Sequence, residues 1–493
     1  MDSIGVHPGR RDSDDARVAL GPNQEVLEAQ ARVCTGPRQV RPLGLRTSDP
    51  DPSRILQIIL SSIGVNETEY SPVSPSQLGA FFAAMTLRKT FHPPTSWSPA
   101  EKDAFDQYGS LLRERLPPEI SFLLEPGSSF AANFANAETV TAALRTILAG
   151  GHLSYDQTRS VLEAILSGDV PEALAAAVLI GQRMNLENAE EARAYLEATN
   201  VEVIPVELDS LTHLGEPYDG ATRYFRPSVF VAAVRAALGR PTVLHGVDSM
   251  PPKWGITDEQ VLNVCGARTD VTSQEARGLL EDVSVGWAYV SQREYAPALY
   301  ACRHLRHHIK KRPPWAATEK VQRLFRCGAN DFMVVGIYHS GYDDLLLRLM
   351  RESELTIGMV TKGEEGSSFY SLRGANTSSR SDLPINYSRG FRRGKKGEEF
   401  SLAVEPRELG FDYESNPRPV EVSAGAFADS GWAALHGIEG HEFDRIALNV
   451  GMMDHLLGFV DDPLTAVQQA RTVMKDGSAA ARFQAYIDRS TSC

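Results

Sequence analysis

Cysteine is scarce and unpatterned in this chain. Five occur in 493 residues, at positions 34, 265, 302, 327 and 493, odd in number and never as a C-x-x-C pair. That argues against a disulfide framework or a zinc knuckle and suits a reducing compartment. Long apolar runs are missing too: a membrane span needs about 18–20 such residues, and Leu174–Ile180 is among the longest here. Cationic charge is in deficit, with 50 Lys+Arg against 63 Asp+Glu and a net charge of −13, so the chain as a whole does not invite a polyanion. The first fifty residues lack the apolar centre of a signal peptide and carry Asp2, Asp12, Asp14 and Asp15, acids that transit peptides avoid. The expectation is a cytoplasmic protein with no membrane association, organellar import being left open.

What is present is ordinary globular composition, 42% hydrophobic and 23% charged, which excludes a wholly disordered or collagenous chain. The length allows two or three domains. Residues 1–52 are rich in Arg, Pro and Gly without sustained periodicity and are expected to be a flexible tail. Residues 53–200 are expected to form a helical domain. Ile55, Leu56, Ile59 and Leu60 share a face, and Leu78–Leu87 is a second apolar stretch with small residues. Further on, Ser154-Tyr-Asp-Gln157 and Asn188-Ala-Glu-Glu191 have the form of capping boxes, and Asp169-Val-Pro171-Glu172 opens another helix. Leu78–Arg88 and Leu174–Arg183 form a weak internal repeat of small residues, read as close helix packing.

After Asn200 the texture changes. Strands are expected at Val201–Val206, Pro241–Leu244, Val285–Val290, Asp331–Tyr338, Leu355–Val360, Ser368–Leu372 and Glu399–Val404. Helical patterns lie between them, at Pro227–Leu238, Asp258–Cys265, Ser273–Glu281, Ala296–Ile309 and Tyr342–Glu352. Such alternation predicts an α/β domain over 201–493 with a largely buried mixed sheet. Residues 374–398, rich in Ser, Arg, Gly and Lys, are expected to be a polar flap. Helices return at Ile446–Phe459, Pro463–Met474 and Ser478–Ile487.

The segment Leu244-His-Gly-Val-Asp-Ser-Met-Pro-Pro-Lys253-Trp-Gly-Ile-Thr-Asp258 resembles the lysine-histidine-glycine-asparagine-arginine-serine segment of the anthranilate phosphoribosyltransferases, glycosyltransferase family 3. Other blocks fall in the same order: His152–Asp169, Ala176–Arg183, Gly215-Glu-Pro-Tyr-Asp-Gly220, Pro297–Arg312, Ile446–Asn449 and Asp476–Ala480. The resemblance covers roughly residues 150–490. It implies the phosphoribosyltransferase and nucleoside phosphorylase architecture: a small helical domain packed on a larger α/β domain, ligand in the cleft between them, and a homodimer. It also implies transfer of a phosphoribosyl group from phosphoribosyl pyrophosphate to an aromatic amine, with Mg²⁺ neutralising the pyrophosphate.

On that resemblance Gly215, Asp219, Gly220, Ser228, Ser249 and Lys253 would hold the donor, and His245, Gly246 and Arg306 the acceptor. The departures lie in the same segments. The family's glycine-rich loop bares backbone amides to phosphate, whereas Pro217 has no N–H and Tyr218 is bulky. Only Ser228 survives of the asparagine-isoleucine-serine-threonine stretch, and Val247, Asp248, Pro251 and Pro252 replace further polar positions. Ser368 and Phe369 stand in place of the metal-binding acidic pair, leaving Glu364 and Glu365 as the metal candidates. The Tyr218-Asp-Gly220 loop and Pro241–Gly246 are similar to catalytically silent, nucleic-acid-binding paralogues, so a non-catalytic protein binding a polyanion in a basic groove is the alternative.

Two basic clusters bear on that alternative. One comprises Arg303, Arg306, Lys310, Lys311, Arg312, Lys320, Arg323 and Arg326; the other comprises Arg389, Arg392, Arg393, Lys395 and Lys396. Each reads either as a solvated surface or as an anion groove. His304, His307 and His308 read as a solvated helical face rather than a metal site, because no carboxylate or cysteine accompanies them. His436-Gly-Ile-Glu-Gly-His441-Glu442 reads as a loop, since two glycines spoil a helical presentation.

Overall fold

The computed structural model describes residues 21–65, 70–130, 132–374, 383–393 and 398–492. The chain divides into two units: residues 1–199 together with 298–315, and residues 200–297 together with 316–493. The first is a helical bundle and the second an α/β fold. Residues 298–315, expected within the α/β domain, belong to the helical unit.

In the helical unit, Ser74 caps the helix Pro75–Arg88 through a capping box with Gln77, and Pro75 occupies the first turn, where a missing N–H costs nothing. This helix lies so close to Glu172–Asn185 that a β-carbon at Gly79 would overlap the carbonyl of Ala173. The small-residue stretches of the two helices therefore serve close packing. The expectation of a flexible tail fails for residues 21–52. A helix at Gln24–Val33 buries Val26, Leu27, Ala29 and Val33. Asn23 and Gln77 exchange hydrogen bonds of 2.9 Å through the Gln77 amide, and Gln30 donates to the Gln77 carbonyl. The apolar spacing was present, but in a segment dominated by Arg, Pro and Gly. The tail's first twenty residues lie outside the described residues.

Arg88 and Glu101 form a fully buried ion pair, 0% exposed on both sides, with guanidinium-to-carboxylate distances of 2.6 and 2.8 Å. Arg88 also donates to the carbonyls of Thr95 and Ser96, and Glu101 accepts the N–H groups of Ser98 and Leu43.

The second unit is built on a seven-stranded sheet. Its strands are β2 (Ser210–Gly215), β3 (Thr242–Gly246), β4 (Trp287–Ser291), β6 (Asn330–Gly336), β7 (Ile357–Lys362), β8 (Tyr387–Arg392) and β9 (Glu398–Ala403), in the order β4-β3-β2-β6-β7-β8-β9. β1 (Ile204–Pro205) and β5 (Phe325–Arg326) pair separately. Strands β4, β3, β2, β6 and β7 are mutually parallel, β8 runs antiparallel to β7, and β9 runs antiparallel to β8. β2 was missed from sequence: Ser-Leu-Thr-His-Leu-Gly is poor in β-branched residues, yet five of its six residues are buried. The polar flap is corrected as well, since 387–392 is a sheet strand carried by pairing with β7. Ser368–Leu372, expected as a strand, forms none. The continuous helix expected over 296–309 is split into Pro297–Ala301 and Arg303–Ile309, and the final helices run longer than expected, His441–Leu456, Pro463–Lys475 and Ser478–Ser492. Among the described residues, no helix is long and apolar enough to cross a membrane.

Arg88→Met is expected to destabilise the protein by about 3–5 kcal/mol, because it leaves the Glu101 charge buried without its partner. Adding Glu101→Gln, which keeps an acceptor for Leu43 but removes the charge, recovers part of that loss. Equilibrium urea unfolding of the two variants measures both effects.

Candidate functional site

In the α/β unit the strand order reverses at β2: the chain moves outward to β3 and β4, then returns to β6 on β2's other side. The carboxyl ends of parallel strands at such a reversal are where open α/β sheets place ligands. The loop Gly215–Gly220 leaves β2 there, as does the segment following His245 and Gly246 at the end of β3.

The loop's aromatic side chain is turned inward. Tyr218 is buried, its hydroxyl bonded to His245 Nδ1 at 2.5 Å and to the hydroxyl of Tyr295. Burial, with the Tyr295 and Glu319 groups nearby, raises the Tyr218 phenol well above its ordinary value. Burial, helped by neighbouring His213, pushes the His245 imidazole down to about 3, so the ring is neutral at pH 7. Its Nε2 has no hydrogen-bond partner among the described residues.

The backbone of the loop is zipped to the segment after β3. Gly220 has φ +73°, and a β-carbon there would come within 2.5 Å of the Gly255 carbonyl; only glycine fits both demands. Gly255 N–H donates to the Asp219 carbonyl at 2.9 Å, and Ala221 bridges Ile256. Lys253 closes the same contact, its Nζ donating to the Gly220 carbonyl at 2.6 Å and lying 3.3 Å from the Glu365 carboxylate. Burial lowers the Lys253 amine against the opposing pull of Glu365 and Asp219.

Carboxylates engage the remaining polar groups. Arg226 meets Asp258 with two bonds of 2.8 Å and also donates to the Pro217 carbonyl, while the Ser228 hydroxyl donates to Asp258. Glu216 accepts from the Ser368 hydroxyl and N–H; burial, partly offset by Arg226, raises its carboxyl to about 7. Buried Glu259 accepts from Tyr289, Ser291 and Arg293. Glu365 accepts from Thr222, Arg223 and Lys253. The cavity beneath the loop, lined by Pro217, Gly220, Phe225, Arg226 and Glu365 among others, holds about 20 Å³, room for a water molecule but not for a sugar phosphate.

Of the residues expected in the site, Asp219, Gly220, Ser228, His245, Lys253 and Glu365 gather at these strand ends, joined by the bonds above or through immediate chain neighbours. Gly215 ends β2, where a β-carbon would overlap the Lys320 carbonyl, and Gly246 ends β3 beside the Tyr289 hydroxyl. Ser249 is half-buried in the following loop. Arg306 belongs to the helical unit, where it is buried on the helix Arg303–Ile309. Sequence reasoning missed Glu216, Thr222, Arg223 and Tyr295, and took Tyr218 as a departure and as a likeness to silent paralogues, not as a bonded group. A polar Glu-x-Tyr-Asp run directly after the strand glycine was the available signal.

The residues present do not fit Mg²⁺. Glu364 is bound by Arg445 and Asn416, Glu365 by two cations and Thr222, and Ser368 serves Glu216. Among the described residues no group of three His, Cys, Asp or Glu is placed to hold a metal. The basic clusters are corrected too. Arg303, His304, Arg306 and His308 are buried rather than solvated, because their helix packs inside the helical unit. Lys320 donates to the Gly336 carbonyl, Arg323 pairs with Asp331, and Arg389 pairs with Asp343 and Asp344. Arg326 is exposed. Lys395 and Lys396 lie outside the described residues. In the His436–Glu442 stretch, His441 is the first residue of the helix His441–Leu456.

The Glu216 carboxyl gives a pH test. The unfolded chain releases this proton near the ordinary 4.5 and the folded protein near 7, so its contribution to stability falls as pH rises through that window. Glu216→Gln cannot ionise. Its thermal stability relative to the unsubstituted protein is expected to rise from pH 5 to pH 8, by about 3 kcal/mol at most, as measured by thermal melts across that range.

Comparisons with known proteins accord with this arrangement. Residues 141–199 match the model for the glycosyl transferase family, helical bundle domain. The anthranilate phosphoribosyltransferase of Nitrosomonas europaea is 23% identical over 362 residues, spanning 70% of this chain and 97% of the relative. That of Acidithiobacillus ferrooxidans is 27% identical over 359 residues, spanning 71% and 98%. Among solved structures, the Thermus thermophilus anthranilate phosphoribosyltransferase aligns at TM-score 0.56 and 20% identity, covering 72% of this chain and 99% of that one. The Saccharomyces cerevisiae enzyme in complex with PRPP and Mg aligns at TM-score 0.59 and 15% identity, with the same coverage. With a helical bundle and a seven-stranded mixed sheet, this chain is a distant homologue of the anthranilate phosphoribosyltransferases and shares their fold.

Proposed function

We propose that this protein binds a small anionic ligand at the carboxyl ends of its sheet and does not carry out Mg²⁺-assisted phosphoribosyl transfer. One observation carries the reading: Tyr218 fills the turn after β2 and is bonded to His245 and Tyr295, where pyrophosphate chemistry needs open backbone amides. Each lost preorganised donor typically costs about 2.7–4 kcal/mol of transition-state stabilisation. Pro217 has no N–H, Tyr218 is bulky, and the nearby carboxylates face cations of the protein itself.

The alternative is phosphoribosyl transfer from phosphoribosyl pyrophosphate to an aromatic amine of the anthranilate type. Asp219, Ser228 and Lys253 would then face the donor, and His245 and Arg306 the acceptor. It is favoured by the near-complete span of the relatives, 97% of the Nitrosomonas enzyme. A nucleic-acid groove has less support, because Lys320, Arg323 and Arg389 are bonded within the protein. Cytoplasmic residence and a homodimer belong to the same proposal, the latter to be read by sedimentation equilibrium.

Titration calorimetry with phosphoribosyl pyrophosphate and Mg²⁺, followed by a product assay with anthranilate, separates the two readings. The expected result is no Mg²⁺-dependent donor binding and no phosphoribosyl anthranilate. Saturable donor binding with product formation would overturn the proposal in favour of the enzyme.

A further inference from the structure

Glu365 stands out among the carboxylates of this region by its surroundings and its backbone. Its Oε2 accepts the Thr222 N–H at 2.9 Å and lies 3.3 Å from Lys253 Nζ. Its Oε1 accepts from the Thr222 hydroxyl at 3.1 Å and from Arg223 Nε at 2.8 Å. A main-chain amide, a hydroxyl, a guanidinium and an ammonium thus converge on two oxygens. That donor set suits a tetrahedral oxyanion at least as well as a carboxylate, since a phosphate offers three terminal oxygens to the same four donors. Asp219 also faces Lys253, so with Glu365 in place the two cations are balanced by two carboxylates. With Glu365 removed, one positive charge is unmatched.

The residue is held there against its own backbone preference. Glu365 sits at φ +52°, ψ +19°, a left-handed conformation disfavoured by a β-carbon, inside a short turn flanked by Gly363 and Gly366. The neighbouring carboxylate, Glu364, points elsewhere and is bound by Arg445 and Asn416. Burial alone would raise the Glu365 carboxyl; Arg223, Lys253 and the Thr222 N–H outweigh it and hold the group below its ordinary value. The side chain is therefore an ionised internal ligand, in a strained turn, occupying an oxyanion nest.

We propose that Thr222, Arg223 and Lys253 form a subsite for a phosphate dianion or phosphomonoester, and that Glu365 is its built-in competitor, displaced when that ligand binds. This rests on the reading of the region as an anion-binding site and adds its ligand class and its regulation. The apparent affinity is the intrinsic affinity reduced by the fraction of molecules in which the nest is unoccupied, so removing the competitor raises it.

The test measures binding of inorganic phosphate and, separately, of glycerol phosphate to the full chain by calorimetry at constant ionic strength. Glu365→Gly removes the carboxylate and suits the backbone angle; it is expected to bind at least one of the two about tenfold more tightly than the unsubstituted protein. Glu365→Gln, which keeps the size but loses the charge, should fall between them and carries the test should the glycine variant fail to fold. Lys253→Met added to Glu365→Gly should abolish the gain. Preference for glycerol phosphate would identify an esterified ligand, and preference for inorganic phosphate the free ion. Equal, weak binding by the unsubstituted protein and both folded variants would overturn the proposal. These outcomes are independent of donor turnover: tighter phosphate binding beside measurable phosphoribosyl transfer would retain this subsite while rejecting the non-catalytic reading.

Discussion

Charge cannot be buried alone, and this molecule buries a great deal of it. Arg88 faces Glu101, Arg226 faces Asp258, Arg235 and Arg240 share Asp454, and Arg445 faces Glu364. Desolvating such ions is expensive, and contact with a partner plus further hydrogen bonds is what makes the interior tolerable. The pairs also fix position. Arg235, on the helix Ser228–Ala237, bonds Thr212 of β2 and Thr242 of β3 as well as Asp454, tying adjacent strands to the final helices. The same requirement shapes the candidate site, where the charged groups at the strand ends are matched with one another while, among the described residues, His245 Nε2 is not.

That matching gives the divergence from the relatives a physical meaning. A loop that exposes amides to pyrophosphate must remain open and glycine-rich, and it is correspondingly weakly packed. Filling the turn with an aromatic ring bonded to two other side chains makes it rigid and dry. In this chain the turn after β2 is of the second kind, its Tyr218 hydroxyl bonded to His245 and Tyr295. Gly220 and Gly255 answer a different demand, that of backbone meeting backbone.

Much of the architecture was legible in the sequence because strands and helices of the α/β unit carry clean periodicity. Ser273–Glu281 and Tyr342–Glu352 were read to the residue. The failures have specific causes. β2 is an interior strand, where burial on both faces replaces alternation and where Thr, His and Gly are acceptable. β8 is rich in Arg because its cations reach Asp343, Asp344 and the Leu456 carbonyl, partners far away in sequence. The resemblance supplies a list of candidate positions, but not the network that joins them. Nothing local announces that Glu365 will meet Thr222, or that Tyr218 will turn inward to His245.

The helical unit is assembled from two stretches separated by about a hundred residues, 1–199 and 298–315. Its core includes Trp315, whose ring stands edge-on to Tyr195 at 5.4 Å between centroids. A nascent chain emerging from the ribosome therefore cannot finish its first-made bundle until much of the second unit's sheet has also been synthesised. For some seconds, at the pace of translation, the aromatic face around Tyr195 waits for its closing segment, an interval in which a chaperone would find a natural substrate.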